Sequence, residues 1–200
     1  AHVYGQTIAE IKEEYNLDNI AKLCFNENPY GPYSCTVKAV KEEINNFKNM
    51  IYNSNRLFFA GTGRSKLMIK AVAMRFMQFG FEVYIVGETN TPAFKKNDLL
   101  IAASGSGETK STLLNVEKAK NCGGKTALFT TARQSTLAQI SDQIIEIPVL
   151  KLFSKKDKLL PGGSYFEGTL LILGDLLVFN IASEKNIDAD QLFARHANLE

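Results

Sequence analysis

The chain has 200 residues, of which 45% are hydrophobic and 22% charged, and its formal net charge is +2 at pH 7. These values are typical of one globular domain, or of a domain with an appendage, and they exclude a strongly basic nucleic-acid-binding or membrane-binding surface. The three cysteines, Cys24, Cys35 and Cys122, are widely spaced and odd in number, which favours reduced thiols in a cytoplasmic protein over a disulfide framework or a zinc site.

The N-terminal third combines a turn-rich segment with one helix. It begins with charged residues where a secretory signal needs an apolar segment. Residues 26–34 (NENPYGPYS) are rich in turn-forming residues, and we expect no regular structure there. An amphipathic helix is predicted over residues 36–53, since Ile44, Phe47 and Ile51 share one face at helical spacing.

From Arg56 onward, short apolar strands alternate with helical segments. The predicted strands are 56–60, 82–86, 98–103, 125–130 and 143–147, and the helices between them are 65–79, 109–122 and 135–141. Several strands are apolar on both faces, as expected for a parallel sheet covered by helices. The alternation predicts an α/β three-layer sandwich with a five-stranded parallel sheet.

Two predicted helices, 65–79 and 165–182, are apolar on nearly every side, which indicates burial on more than one face. Two such helices in a small chain favour a subunit interface over a thick monomeric core. Gly174, Asp175 and Asn180 interrupt the second helix, which therefore falls short of the roughly 18 apolar residues of a membrane span. A charged loop is predicted over 151–163, and a short helix begins the segment 187–200.

Two glycine-rich loops follow predicted strands, at 61–65 (GTGRS) and 104–111 (SGSGETKS). In α/β sheets such loops lead into helix N-termini, whose unpaired N–H groups suit phosphate. Gly105 and Gly107 permit a close backbone approach or a positive φ. A strand–turn–helix junction with a good cap explains the same residues, so composition leaves a phosphate site and a simple turn equally open.

Familiar nucleotide motifs fail at defined positions. A P-loop needs Gly where Thr109 stands, and a dinucleotide-binding fingerprint that starts at Gly61 needs Gly at Lys66. Glu108 would repel a phosphate if it pointed into the loop, so we expect it to face outward.

Larger motifs carry a resemblance to a known family. SGSGETKS after DLLIAA, together with GTGRS after RLFFA, resembles the sugar isomerase (SIS) domain. Within that group VGET (86–89), SGSGET (104–109) and the ending RHANLE (195–200) are similar to the 6-phospho-3-hexuloisomerases. The resemblance covers about residues 48–200. It implies a flavodoxin-like sheet and a cytoplasmic homo-oligomer, dimer or tetramer, with sites shared between subunits.

The implied reaction interconverts D-arabino-3-hexulose 6-phosphate and fructose 6-phosphate through an enediol, as in formaldehyde assimilation by the ribulose monophosphate pathway. The substrate is a phosphorylated ketohexose, and no metal or organic cofactor is necessary. By resemblance the substrate-binding residues divide between the two loops: Ser104, Gly105, Ser106, Gly107 and Thr109 at the phosphate, and Gly61, Arg64 and Ser65 along the sugar.

Two residues are candidates for the chemistry. Glu167 occupies the place of a family glutamate near the start of a long helix, and a carboxylate beside apolar residues such as Phe166 suits a general base. The alternative is a capping acid in a first helical turn. His196, within RHANLE, is the candidate acid–base or oxygen-donor group, and the resemblance implies that it reaches a neighbouring subunit's site.

The chain departs from the family at Lys66, at PGGSYFEG (161–168) and at its front. Residues 7–44 resemble the N-terminal segment of histidinol-phosphate aminotransferase, although nothing later resembles that enzyme's cofactor-binding core. We therefore predict an appendage over 1–47 and an SIS domain over 48–200. Two alternatives stay open: a phosphosugar-binding module without catalysis, and an isomerase of another phosphosugar.

Overall fold

The computed structural model of the chain describes residues 34–147, 164–185, 190 and 193–198. The chain divides into two compact units, Ala1–Ala39 and Val40–Glu200. The predicted boundary between residues 47 and 48 stays a prediction. The loop predicted over 151–163 and most of the segment resembling the aminotransferase lie outside the described residues.

The described elements follow the predicted order. They are α1 (Ser34–Tyr52), β1 (Leu57–Gly61), α2 (Gly63–Gln78), β2 (Val83–Ile85), β3 (Leu99–Ala103), α3 (Lys110–Asn121), β4 (Lys125–Thr130), α4 (Thr136–Ile140), β5 (Gln143–Glu146) and α5 (Ser164–Glu184). The strand β4 has the predicted bounds, whereas β2 has three residues instead of five. Because β2 is an edge strand, it pairs only with β1, and that pairing covers three residues.

All five strands are parallel, in the order β2-β1-β3-β4-β5. Residues of α1, α2 and α5 pack on one face of the sheet, and residues of α3 and α4 pack on the other. The predicted three-layer α/β sandwich with a flavodoxin-like sheet is therefore confirmed. Because the strand order reverses at β1 and β3, a crevice forms between the carboxyl ends of these two strands, where ligands bind in such folds.

Both faces of the central strands are covered. Leu57 and Phe59 pack in the cluster formed with α1, α2 and α5, while Phe58 and Ala60 pack in the cluster formed with α3 and α4. Side chains alternate between the two faces of a strand, so a strand covered on both must be apolar at every position. This is why the apolar runs predicted the strands correctly.

The two apolar helices lie side by side. Gly174 of α5 sits against Val72 of α2, where a Cβ would overlap the valine side chain. Each helix buries one side in the core and leaves large apolar side chains exposed. We call this exposed set the α2/α5 surface: Leu67, Met74, Met77, Ile172, Leu176 and Phe179.

By length and composition α5 could span a membrane, but close to half of it is buried within the fold. Leu170, Leu177 and Ile181 are among its buried residues and belong to the main core cluster. In this structure α5 is a core helix of an α/β sandwich.

Asp142 connects α4 to β5. Its carboxylate accepts hydrogen bonds from the Thr126 N–H at 2.9 Å and the Thr126 hydroxyl at 2.8 Å, and Lys120 lies 3.3 Å away. Burial raises the pKa of Asp142, but the Thr126 hydrogen bonds and Lys120 together outweigh it and hold the pKa below its ordinary value of 3.8.

Asp142→Asn is expected to lower the free energy of unfolding by about 1 kcal/mol at neutral pH, because an amide cannot accept both Thr126 bonds as strongly as a carboxylate. The unfolded chain takes up the proton first, so this contribution is complete above the unfolded pKa of 3.8 and is lost as the pH falls through the lower folded value. Urea unfolding of both proteins from neutral to strongly acidic pH measures the difference. A difference that stays constant over that range would contradict the assignment.

Candidate active site

The 104–109 loop, which follows β3, is tied to the chain that follows β4. The Gly105 carbonyl accepts hydrogen bonds from the Thr131 N–H at 3.1 Å and from the Thr131 hydroxyl at 2.8 Å. The Gly107 N–H donates to the Ser104 carbonyl and to the Ser104 hydroxyl, both at 3.1 Å. These bonds give the loop a defined shape.

The two glycines of this loop serve different purposes. Gly107 has φ 68°, and a Cβ there would overlap the side chain of Ser135. At Gly105 a Cβ would lie 3.3 Å from the ring of Phe166. Gly107 therefore provides a left-handed backbone conformation, while Gly105 permits a close approach of α5.

The N-terminus of α3 is not capped by a side chain. Thr109 occupies the N-cap position but makes no capping hydrogen bond. Its hydroxyl lies instead 3.0 Å from the Ser104 hydroxyl. The first N–H groups of a helix lack intrahelical partners and carry partial positive charge, so this end of α3 can hold an anion. A simple strand–turn–helix junction with a good cap is the other interpretation of this loop, and the capping hydrogen bond that it requires from Thr109 is not made.

A second open helix start lies beside the first. Thr62, the N-cap residue of α2, also makes no capping hydrogen bond. Its hydroxyl lies 2.8 Å from that of Ser111 in the first turn of α3. The starts of α2 and α3 therefore meet at the crevice between β1 and β3, where the sheet order reverses.

Glu108 is turned outward, as expected. Its carboxylate is exposed and accepts a hydrogen bond of 2.8 Å from the Thr136 N–H at the start of α4. This backbone hydrogen bond lowers the pKa of Glu108. The negative charge is thus engaged by α4 and leaves the start of α3 open to an anion.

The first turn of α5 places Glu167 beside the first turn of α2. Glu167 is only 6% exposed, and its Oε1 accepts a hydrogen bond of 3.2 Å from the Ser65 hydroxyl. Its Oε2 is buried and has no hydrogen-bond partner within the described part of the chain. Arg64 Nε lies 3.9 Å from that oxygen. An unsatisfied oxygen on a buried carboxylate is costly, and such groups occur where function requires them.

Phe166 connects Glu167 to the 104–109 loop. Its ring is 1% exposed and packs against Gly105. Within one chain the structure therefore brings together the 104–109 loop, the start of α2 and the buried carboxylate of Glu167.

Lys66, a departure from the family pattern, is accommodated by an ion pair. Its Nζ lies 3.7 Å from Glu88 Oε1, and Lys70 Nζ lies 3.0 Å from the same atom. The hydrogen bond from Lys70, assisted by the charges of both lysines, lowers the pKa of Glu88.

His196 is not brought to this site within one chain. It is exposed and lines a groove of about 440 Å³ with Gln78 and Phe179. This groove lies at the C-terminal end of α2 and beside the C-terminal half of α5. Phe179 is twelve residues beyond Glu167 in the same helix, which corresponds to about 18 Å of helix length. The two residues predicted for the chemistry are therefore far apart in a single subunit.

Arg195, the first residue of the RHANLE ending, packs on a backbone turn. A Cβ built at Gly80, which has φ 89°, would lie 3.0 Å from the guanidinium carbon of Arg195. Arg195 thus lies against the turn that follows α2, in the same region as His196.

Sequence reasoning missed the hydroxyls of Thr62 and Ser111 and the buried Ser135. Each stands just before or just inside a helix, and Ser135 accepts the capping hydrogen bond of α4 from Ala138. Position at or shortly before the start of a predicted helix is the signal that could have identified Thr62 and Ser135 as N-cap residues. Among the residues that the structure describes, no group of three or more His, Cys, Asp or Glu side chains could hold a metal ion.

The parallel α/β fold, with two glycine-rich loops that lead into uncapped helix starts, is that of a sugar isomerase (SIS) domain. The family model of the SIS domain matches residues 50–153, and the chain belongs to this family. Among its relatives, the 3-hexulose-6-phosphate isomerase of Bacillus subtilis is 40% identical over 166 residues, covering 80% of this chain and 88% of that protein. The 3-hexulose-6-phosphate isomerase of Mycobacterium gastri is 36% identical over 165 residues, covering 82% of this chain and 83% of that protein.

A solved structure extends this similarity to three dimensions. A Methanococcus jannaschii protein, whose structure is described as inferring a molecular function of 3-hexulose-6-phosphate isomerase, is 37% identical. Its TM-score is 0.74, and the match covers 80% of this chain and 87% of that one.

Proposed function

We propose that the protein interconverts D-arabino-3-hexulose 6-phosphate and fructose 6-phosphate. The observation that carries this proposal is the buried Glu167, whose Oε2 makes no hydrogen bond with the described residues, next to a loop that can hold an anion. The similarity to 3-hexulose-6-phosphate isomerases supports this choice of sugar phosphate.

The 104–109 loop would bind the phosphate. The hydroxyls of Ser104, Ser106 and Thr109 and the open N–H groups at the start of α3 supply donors for its oxygens. The starts of α2 and α3 meet at this crevice, so the sugar extends from the phosphate toward Gly61, Arg64 and Ser65. Glu167, in contact with Ser65, then lies next to the sugar carbons rather than the phosphate.

Glu167 would act as the base that moves one proton between adjacent carbons. Its carboxylate removes the proton from C2, the C2–H electron pair becomes the C2–C3 double bond, and the C3 carbonyl oxygen takes up a proton. The resulting enediol collapses when the O2 hydroxyl loses its proton and Glu167 returns the carbon-bound proton to C3. This cycle restores the carboxylate and consumes no cofactor.

His196 would complete the site of a neighbouring subunit as donor to the developing oxygen charge. Within one chain it lies far from Glu167, so its participation requires assembly. The α2/α5 surface offers the apolar area for such an interface, since its six large side chains are exposed in a single chain. We therefore propose a cytoplasmic homo-oligomer, a dimer or tetramer, with sites shared between subunits.

Shared sites predict complementation between two inactive variants. Co-expressed Glu167→Gln and His196→Ala subunits are expected to regain about one quarter of wild-type kcat in a two-fold dimer, because half the dimers are mixed and each mixed dimer holds one intact site. The measurement is turnover of the mixture against each variant alone, with subunit exchange verified by affinity tags. No gain from a verified mixture would show that each site draws both residues from one chain.

The test of the activity is a coupled assay for fructose 6-phosphate formed from the 3-hexulose phosphate. Turnover by the wild-type protein is expected. Tight binding of the sugar phosphate without turnover would instead support a non-catalytic phosphosugar-binding module, and turnover of a different phosphosugar would redirect the assignment to another isomerase.

A further inference from the structure

The two oxygens of the Glu167 carboxylate have different surroundings. Oε1 accepts a hydrogen bond of 3.2 Å from the Ser65 hydroxyl, whereas Oε2 is buried without a hydrogen-bond partner in the described residues. We infer that Ser65 is a positioning residue, whose hydroxyl holds Oε1 so that Oε2 is the atom that takes the proton from the sugar carbon. This inference rests on the function proposed above.

The neighbouring arginine does not hold the carboxylate in this way. Arg64 Nε lies 3.9 Å from Oε2, which is too far for a hydrogen bond, and the Arg64 side chain is 64% exposed. A long exposed side chain has many accessible rotamers, so it does not fix the carboxylate plane. It remains available for contact with the substrate.

The position of Ser65 is set by helix packing. Ser65 lies in the first turn of α2 and Glu167 in the first turn of α5. Seven residues further along each helix, Val72 and Gly174 are in such close contact that a Cβ on the glycine would overlap the valine. Because the two helices are held this closely, the short serine side chain reaches Oε1 with only one rotatable bond to its hydroxyl oxygen.

A bond between Ser65 and Oε1 constrains rotation about the last torsion of the glutamate. That torsion is otherwise broad for a carboxylate. A base must hold its accepting oxygen close to the proton that it removes, and a misplacement of about 1 Å can cost about 100-fold in rate. Loss of the Ser65 hydroxyl should therefore affect turnover rather than affinity.

The decisive experiment compares Ser65→Ala and Ser65→Thr with the wild-type protein in the coupled assay. Ser65→Ala is expected to lower kcat by about 10- to 100-fold with KM changed less than about twofold, since the lost hydrogen bond orients the base, whereas substrate affinity comes mainly from the phosphate at the 104–109 loop. Ser65→Thr retains a hydroxyl and is expected to restore most of kcat. Ser54→Ala is the matched control: its hydroxyl also makes one hydrogen bond, to the Met50 carbonyl at 2.6 Å, outside the site.

A double variant shows whether the Ser65 hydroxyl acts on turnover through Glu167 or directly on the substrate. In the Glu167→Gln background, Ser65→Ala is expected to cause no further loss of the residual kcat, because residues that act as a unit are not additive. A rise in KM with kcat unchanged, an additive loss in the double variant, or a folded Ser65→Thr protein as slow as Ser65→Ala would each overturn the inference. Failure of the proposed function is seen separately, as absence of turnover by the wild-type protein.

Discussion

Glu167→Gln is expected to lower kcat by about 100- to 10,000-fold, the usual contribution of a positioned general base. The amide has nearly the same shape and can still accept the hydrogen bond from Ser65, but it cannot take a proton from carbon. Binding should persist, because the 104–109 loop, the proposed phosphate site, is unchanged in this variant. Turnover in the coupled assay and calorimetric titration with fructose 6-phosphate measure the two effects independently.

The stability of this variant provides a second readout. The wild-type protein buries a carboxylate oxygen that makes no hydrogen bond with the described residues, and its ion pair with Arg64 is long and involves an exposed side chain. Replacing the carboxylate with a neutral amide should therefore leave the free energy of unfolding unchanged or raise it by up to about 1 kcal/mol. Glu117→Gln, at an exposed position of α3, is the control for a carboxylate-to-amide change outside the site. Full activity of a folded Glu167→Gln protein would refute the role assigned to Glu167.

Gly107→Ala is expected to lower the free energy of unfolding by about 2–4 kcal/mol, the sum of a left-handed backbone penalty and overpacking. Gly107 has φ 68°, and a Cβ there would overlap the buried Ser135. Ser135 caps α4 and cannot move without losing that bond. Because the same loop would bind the phosphate, affinity for fructose 6-phosphate should fall as well.

Gly123→Ala separates the two costs. Gly123 also has a positive φ, 77°, but a Cβ there would meet only the side chain of Lys96, at 3.7 Å. This variant should lose only about 1–2 kcal/mol, the backbone penalty alone, and should bind the sugar phosphate normally. Denaturant unfolding and titration of both variants provide the comparison. Equal losses in the two proteins would show that the contact with Ser135 is not limiting.

Local sequence patterns predicted the strands because burial on both faces leaves few choices of side chain. The run Leu99–Ala103 is fully buried, and β4 has the bounds expected from its apolar composition. The edge strand β2 was predicted too long, since the extent of an edge strand depends on its single neighbour. The observed helix ends differ from the predicted ones by one or two residues. Thr62 and Thr109 are N-cap residues, and hydrophobic periodicity says little about where the first turn of a helix begins.

The candidate site was only partly predictable. Composition left the loop of Ser104, Gly107 and Thr109 equally open to a phosphate site and a simple turn, and the family resemblance proposed Glu167 by its place near the start of a long helix. The pairing of Thr62 with Ser111 could not be identified, because these residues are 49 positions apart and meet only when β1 and β3 become neighbours.

The sequence by itself determined the α/β class, the order of the elements and the identity of the loops at the site, because burial, helical periodicity and turn chemistry act over a few consecutive residues. Only the tertiary structure decided that Ser65 contacts Oε1 of Glu167, that Oε2 is left without a hydrogen bond among the described residues, and that His196 lies at the far end of the same helix pair. These features depend on how α2 and α5 pack side by side. No local pattern encodes a distance between residues about 100 positions apart.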